Sequence, residues 1–322
     1  MLFNLAIVVA GIALLVWSAD RFVYGAAGLA NAFGISPLII GLTVVGMGTS
    51  APEMLVSAIA SLDGNPGLAF GNAVGSNIAN IALVLGVTIV VMPITVSSAI
   101  LKREFPAMAA VMILALLLML DRDLSRGDGL VLVAATVILL AWATRIGLRS
   151  REPDPLTAEL TAEIPTTLTA PRALGHALVG LVLLLIASRM VVWGAVNIAT
   201  TLGVSDVLIG LTIVAVGTSL PELAASVASA LKGQPDLALG NIIGSNMFNL
   251  LPVLAMPGLL APGPIADEIL LRDYPVMLFM TALLFAMAYG FRGNKRRINR
   301  FEGFILLAGF FGYEYLLYLT GI

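Results

Sequence analysis

The stretches GTSAPE (48–53) and GNAVGSNIAN (71–80) recur as GTSLPE (217–222) and GNIIGSNMFN (240–249). Glu222 follows Glu53, and Asn249 follows Asn80, by the same interval (222 − 53 = 249 − 80 = 169), so the copies align without a gap. The chain is an internal duplication, which is the strongest organisational signal in it. Each copy places a carboxylate, several hydroxyls and a proline inside an apolar run. At such a depth a carboxylate costs at least about 3 kcal/mol, so something cationic must repay it.

Working outward, the interval extends from Gly25/Gly194 through Gly34/Gly203, Gly41/Gly210 and Thr43/Thr212 to Glu104/Asp273 and Pro106/Pro275. Of the 322 residues 59% are hydrophobic and 11% charged, with a mean hydropathy of +1.03. That balance excludes an ordinary soluble domain and predicts an integral membrane protein. Apolar runs fall at 2–30, 37–62, 67–92, 104–120, 128–148, 173–201, 206–231, 236–260, 271–291 and 302–321. They lack the alternation of barrel strands, and helices satisfy their own backbone in lipid. The predicted fold is all-α, with ten transmembrane helices in two five-helix repeats. Residues 1–148 form the first, with its motif region at 36–86. Residues 149–172 form a cytoplasmic linker, and 173–322 form the second, with its motif region at 205–255.

An odd number of helices per repeat makes the second repeat enter the membrane from the opposite side. The repeats are thus expected to be inverted, the architecture in which transport sites lie at the midplane between halves. Lys102, Arg103, Arg145, Arg149, Arg151, Arg172, Lys232 and the cluster from Arg292 to Arg300 fall in loops on one side. Only Arg122, Arg126 and Arg272 fall in loops on the other, so the positive-inside rule puts both termini outside. The first run is too long for a signal peptide and reads as a retained helix. The linker, REPDPLTAELTAEIPTTLTAPR, is too short for a folded domain. The cluster RGNKRRINR reads as a topology determinant at the lipid surface. Without cysteine the chain has no disulfides and no thiolate metal sites. A net charge of −2 says little about partners.

Pro52 lacks an N–H, so the carbonyl of Gly48 loses its helical partner and the backbone opens near Thr49 and Ser50. Thr49 and Ser50 lie four and three residues before Glu53, on the face that carries the carboxylate. In the next helix Ser76, Asn77 and Asn80 form a polar stripe, while Gly71 and Gly75 provide a small face for close approach. Gly217, Thr218, Ser219, Pro221 and Glu222 repeat the first element, and Gly240, Gly244, Ser245, Asn246 and Asn249 the second. A single hydroxyl in a membrane helix ordinarily bonds its own backbone, and a single glycine ordinarily serves packing. Two membrane-buried glutamates in matched positions resist that explanation. If they come within about 5 Å at an effective dielectric near 20, their repulsion is on the order of 3 kcal/mol, so a cation or protons must lie between them. Carboxylate and carbonyl oxygens suit calcium better than magnesium, and the absence of cysteine and of a nearby histidine disfavours soft metals.

The paired GTS(A/L)PE and GN(A/I)(V/I)GSN(I/M)(A/F)N motifs resemble the two alpha repeats of the calcium:cation antiporter superfamily, in particular prokaryotic sodium/calcium exchangers. The resemblance covers nearly the whole chain. It implies a calcium site of Glu53 and Glu222 with the backbone carbonyls of Thr49 and Thr218. It implies sodium sites that add Ser50, Ser76, Ser219 and Ser245, the carbonyls of Gly46 and Ala215, and a central polar pair at Asn80 and Asn249. Many exchangers carry Asp where this chain has Asn249, which leaves two certain carboxylates and bears on the coupling ion.

The reading is therefore a secondary transporter that exchanges calcium for sodium. It acts in the plasma (inner) membrane as a monomer, with no resident cofactor, no enzymatic activity and no nucleic-acid partner. The alternatives are a proton-coupled or potassium-dependent antiporter and, from another class, a passive channel. An intramembrane enzyme is disfavoured, since no nucleophile and base pair stands out. The resemblance makes the first helix of each repeat, 2–30 and 173–201, the moving part. Asp20, Arg21 and Arg189 in these helices read as snorkelling or locally paired, the acids and bases of 121–128 as a solvated loop, and His176 as interfacial.

Overall fold

A computed structural model describes residues 1–35, 37–64, 66–98, 100–149, 168–202, 215–289 and 297–320. Linker residues 150–167, the early part of the expected 206–231 span and 292–296 of the basic cluster lie outside the described residues, as do Gly203, Gly210 and Thr212.

The chain is almost wholly helical. Helix α1 is Leu2–Phe33. Helices α2, Gly41–Thr49, and α3, Ala51–Leu62, meet at a 45° bend. Then come α4, Pro66–Val91, and α5, Phe105–Met119, which is led in by a wide i→i+5 turn at Ile100–Glu104. Helix α6, Arg126–Arg149, ends the first half. The second half has α7 (Ala170–Thr201), α8 (Ala215–Thr218), α9 (Leu220–Leu231), α10 (Pro235–Leu260), α11 (Ile269–Tyr289) and α12 (Arg300–Thr320). Among the described residues seven helices are long and apolar enough to cross a membrane, or eight if the bent α2–α3 pair is one span.

The duplication is visible residue by residue. Helix α3 and helix α9 coincide at the 169-residue interval, as do the starts of α4 and α10 and the wide turns at Ile100–Glu104 and Ile269–Asp273. The α2–α3 bend falls at Ser50, with φ −81° and ψ 3°, and its counterpart Ser219 has φ −87° and ψ 2°. Both breaks lie where Pro52 and Pro221 remove a helical donor and crowd the preceding turn. Gly64 and Gly233, at φ +76° and +69°, make the matched turns that follow α3 and α9. A second matched irregularity, a wide turn, begins at Asn80 in α4 and at Asn249 in α10. Pro252 lies in the second of these turns and Leu83 at the same place in the first, so the proline is not its sole cause.

Among the described residues, strands are confined to four two-residue pieces. Strand β1 (Ile94–Thr95) pairs antiparallel with β4 (Arg297–Ile298), and β2 (Asp123–Leu124) with β3 (Gly263–Pro264). Each pair ties one half of the chain to the other, outside the long helices.

Helices α1 and α7 pack along their length in opposite directions. Gly11 lies against Val191, Phe22 against Gly180, Gly25 against Ala177, and Val8 against Gly194. The two residue numbers of every pair sum to 202, which is the signature of a regular antiparallel crossing. At Gly25 the backbone of Ala177 occupies the place a side chain would need, so the glycine sets how closely the helices approach. Their buried residues, from Leu15 to Ala30 and from Ala173 to Ala187, form an apolar cluster that also takes in Ile40, Val45, Ala225 and Leu237. A larger cluster unites α4, α5, α6, α10, α11 and α12. The molecule thus has a helix pair set against a bundle, with the two broken helices between them.

Candidate functional site

The two breaks bring the motif side chains into the protein interior. Glu53 and Glu222 are 1% and 0% exposed, and Thr49, Ser50, Ser219, Ser245, Asn80 and Asn249 are buried with them. The carboxylates of Glu53 and Glu222 lie within electrostatic reach of each other, and Thr49 and Ser50 stand beside that of Glu222. The two halves therefore share one polar centre rather than forming two separate ones. Among the described residues no three acidic, histidine or cysteine side chains converge, so this centre contains two carboxylates.

Its most informative property is what the side chains do not bond. Both oxygens of Glu222, Oε2 of Glu53, the hydroxyls of Ser50 and Ser219, and both amide atoms of Asn80 and of Asn249 are buried without a hydrogen-bond partner. Asn246 Oδ1 shares that condition. Buried polar groups are normally paired, and each exception costs about 1–3 kcal/mol. Ten such atoms, four from the first repeat and six from the second, make this centre the exception to that rule.

Other motif side chains, among them Thr49, Asn72, Asn241 and Ser245, are partnered. Asn241, a residue not singled out from the sequence, donates through Nδ2 to Glu222 O at 3.3 Å and to Ser226 Oγ at 2.9 Å. A carbonyl can only accept, so these bonds orient the amide and turn Oδ1 toward Thr49 Oγ1, which donates to it at 3.1 Å. Thr49 Oγ1 also lies 3.2 Å from Ser245 Oγ, which reaches Gly46 O at 3.3 Å. The counterpart Asn72 donates to Glu53 O at 3.0 Å. Each motif glutamate thus has its backbone carbonyl held by the asparagine 19 residues later. The clue in the sequence was the GN dipeptide opening both second motifs, read there only for its glycine.

Other expectations meet a mixed outcome. Asn77 donates to Ala73 O at 2.8 Å, the self-satisfied arrangement expected of an isolated polar side chain. The carbonyl of Gly46 already accepts from Ser50 N at 3.0 Å as well as facing Ser245. Helix α8, with Ala215 and Thr218, packs on the first part of α4, which carries Ser76. The glycine face predicted in both copies is used unequally. Gly244 is in close contact with the Leu42 backbone and Gly240 with Gly41, while Gly71 and Gly75 have no neighbour among the described residues where a side chain would begin.

Comparison with known proteins accords with this geometry. The family model described as sodium/calcium exchanger protein matches residues 3–145 and 172–319. The chain belongs to this family. It is 50% identical over 97% of its length to the putative antiporter CaxA of Alkalimonas amylolytica, covering 97% of that protein. It is 30% identical to the sodium/calcium exchanger MaX1 of Methanosarcina acetivorans, over 98% of each chain. Among solved structures, the sodium-calcium exchanger NCX_Mj superposes with a TM-score of 0.82 at 33% identity, over 97% of this chain and 98% of that one. This family member is a membrane-embedded cation antiporter by fold and by kinship.

Proposed function

We propose that the protein exchanges calcium for sodium across the membrane, with Glu53 and Glu222 sharing one midplane cation site. The observation that carries this reading is the set of buried, unpartnered oxygens contributed by both repeats. Two carboxylates supply a charge of −2, which one calcium or two or more sodium ions balance. Bidentate glutamates supply up to four oxygens, and carbonyls at the helix breaks, together with Ser50, Ser76, Ser219, Ser245, Asn80 and Asn249, extend the set toward the six to eight that calcium takes. The names of MaX1 and NCX_Mj, both sodium/calcium exchangers, favour this pair of ions.

Charge also dictates coupling. Carrying an empty, doubly negative site through a dry intermediate would cost several kcal/mol of desolvation for each ion. The protein therefore changes sides only when loaded, and the sodium gradient drives calcium. Alternating access needs two helix groups that shift about a fixed site. The antiparallel α1–α7 pair, packed in a regular crossing along its length, has the form expected of the moving group. Because α1 and α7 are equivalent at the 169-residue interval, their opposite directions support ten helices in two inverted repeats. With the basic loops inside, both termini then face outward from the plasma (inner) membrane.

The test is calcium efflux from proteoliposomes under an inward sodium gradient at constant pH. Sodium-dependent efflux is expected. Efflux that follows only a proton gradient, or that proceeds without any trans ion, would refute the assignment.

A further inference from the structure

Two charged positions repeat at the 169-residue interval with their signs exchanged. Asp20 of α1 corresponds to Arg189 of α7, and Asp63, in the turn after α3, corresponds to Lys232, in the turn after α9. An acid on the first long helix thus answers a base in the second turn, and a base on the second long helix answers an acid in the first turn. All four residues are among those described, and one of the two pairs is formed. Lys232 Nζ lies 2.7 Å from Asp20 Oδ1, donates to Asp20 O at 3.2 Å and stands 5.6 Å from the centre of the Tyr24 ring. Arg189 and Asp63 are exposed, and neither takes part in an ion pair.

Helix packing differs in step with the charges. Helix α9 runs from Glu222 to the turn at Lys232, and its Leu220, Ala224, Ala225 and Ala228 join the apolar cluster of α1 and α7. Helix α3 runs from Glu53 to the turn at Asp63, and none of its residues joins that cluster. Helix α1 packs on α9, whereas α7 makes scarcely any contact with α3.

We propose that Asp20–Lys232 and Arg189–Asp63 are alternate ion-pair locks, one for each face of the membrane. Docking of α1 on α9 covers the side of the site that leads to the Lys232 turn, and the first pair fastens it. When the helix pair shifts the other way, α7 docks on α3 and Arg189 reaches Asp63, fastening the side that leads to the Asp63 turn. The proposed topology puts the first lock at the inner face and the second at the outer. A partly exposed ion pair suits the task, being weak enough to break in every cycle yet able to shift a balance between two states.

This inference rests on the exchanger reading. Because the chain has no cysteine, thiol crosslinking tests it directly. Asp20→Cys with Lys232→Cys and, in a second variant, Asp63→Cys with Arg189→Cys are treated in proteoliposomes with a bifunctional thiol reagent about as long as a lysine side chain, under ion gradients that drive turnover. Both pairs are expected to crosslink within one chain, read as a linked peptide by mass spectrometry. Each crosslink is expected to stop exchange, leaving calcium accessible from the Asp63 face in the first variant and from the Lys232 face in the second. Asp20→Asn and Asp63→Asn give a second reading that leaves the basic residues governing topology untouched. Asp20→Asn is expected to lower half-saturating calcium on the Lys232 face relative to the Asp63 face by about two- to fivefold, and Asp63→Asn to move the ratio the other way. Failure of either pair to crosslink, undiminished exchange in either crosslinked protein, or face ratios that are unchanged or move together would overturn the locks. Wild type without sodium-driven exchange, with both pairs still crosslinking, would overturn the functional reading instead.

Discussion

Helix α10 is buried along the whole of its most apolar window and α4 along 72% of it, although both carry the same motif at the same spacing. Their difference is concentrated away from the glutamates, which are equally buried. It appears at Gly71, Asn72 and Gly75 against Gly240, Asn241 and Gly244, on the part of each helix between the site and its first turn. A duplicated sequence thus folds into a symmetric centre with unequal approaches. The proposed exchange mechanism calls for such a division, with an ion site common to both states and approaches that differ between them.

The comparison can be broken first at the centre, where the two halves should be alike. Glu53→Ala and Glu222→Ala are each expected to reduce calcium transport by at least about 100-fold while leaving membrane insertion intact, since either removes half the charge that holds the ion. Flux in proteoliposomes together with membrane-fraction yield checks this. A large loss in one variant and normal flux in the other would mean that the halves are not equivalent.

The approaches should instead respond unequally. Gly244→Ala puts a methyl into the Leu42 backbone, an overpacking that costs about 1–3 kcal/mol, whereas Gly75→Ala meets no described neighbour. Thermal unfolding in detergent should show a clear loss for the first and a smaller one for the second. Equal losses would remove the packing difference between α4 and α10.

A third contrast lies at the matched acids Glu104 and Asp273. Asp273 accepts from Arg272 at 2.7 Å and 3.1 Å and from Tyr313 at 3.0 Å. Glu104 is buried with neither oxygen hydrogen-bonded, and its nearest cation, Arg103, is 3.8 Å away. Asp273→Asn should cost about 1.5–3 kcal/mol, the value of bonds to a charged group. Glu104→Gln should be near neutral or stabilising, because it removes a buried charge with little compensation. The same unfolding measurement checks both.

Much of this was legible in residues. The interval between Glu53 and Glu222 exposed the duplication, and Pro52 and Pro221 placed the helix breaks where they occur, because a missing donor acts locally. The predicted helix run at 104–120 is present as α5, preceded by a wide turn that apolar length alone does not reveal. Other features depend on tertiary packing. Nothing in GNAVGSN and GNIIGSN says which glycine face is closed, since that depends on how neighbouring helices dock and not on the motif alone. Nor does local pattern show that Asn72 and Asn241 hold the carbonyls of Glu53 and Glu222, a contact made across 19 residues by the docking of one helix on another.

The claim that one site is shared is tested most directly by equilibrium calcium binding to purified protein, using Glu53→Gln, Glu222→Gln and the double variant. One high-affinity calcium per chain is expected for wild type, with each single variant losing it and the double variant no worse than either. A single variant that retains high-affinity calcium, or losses that add independently in the double variant, would contradict a common site.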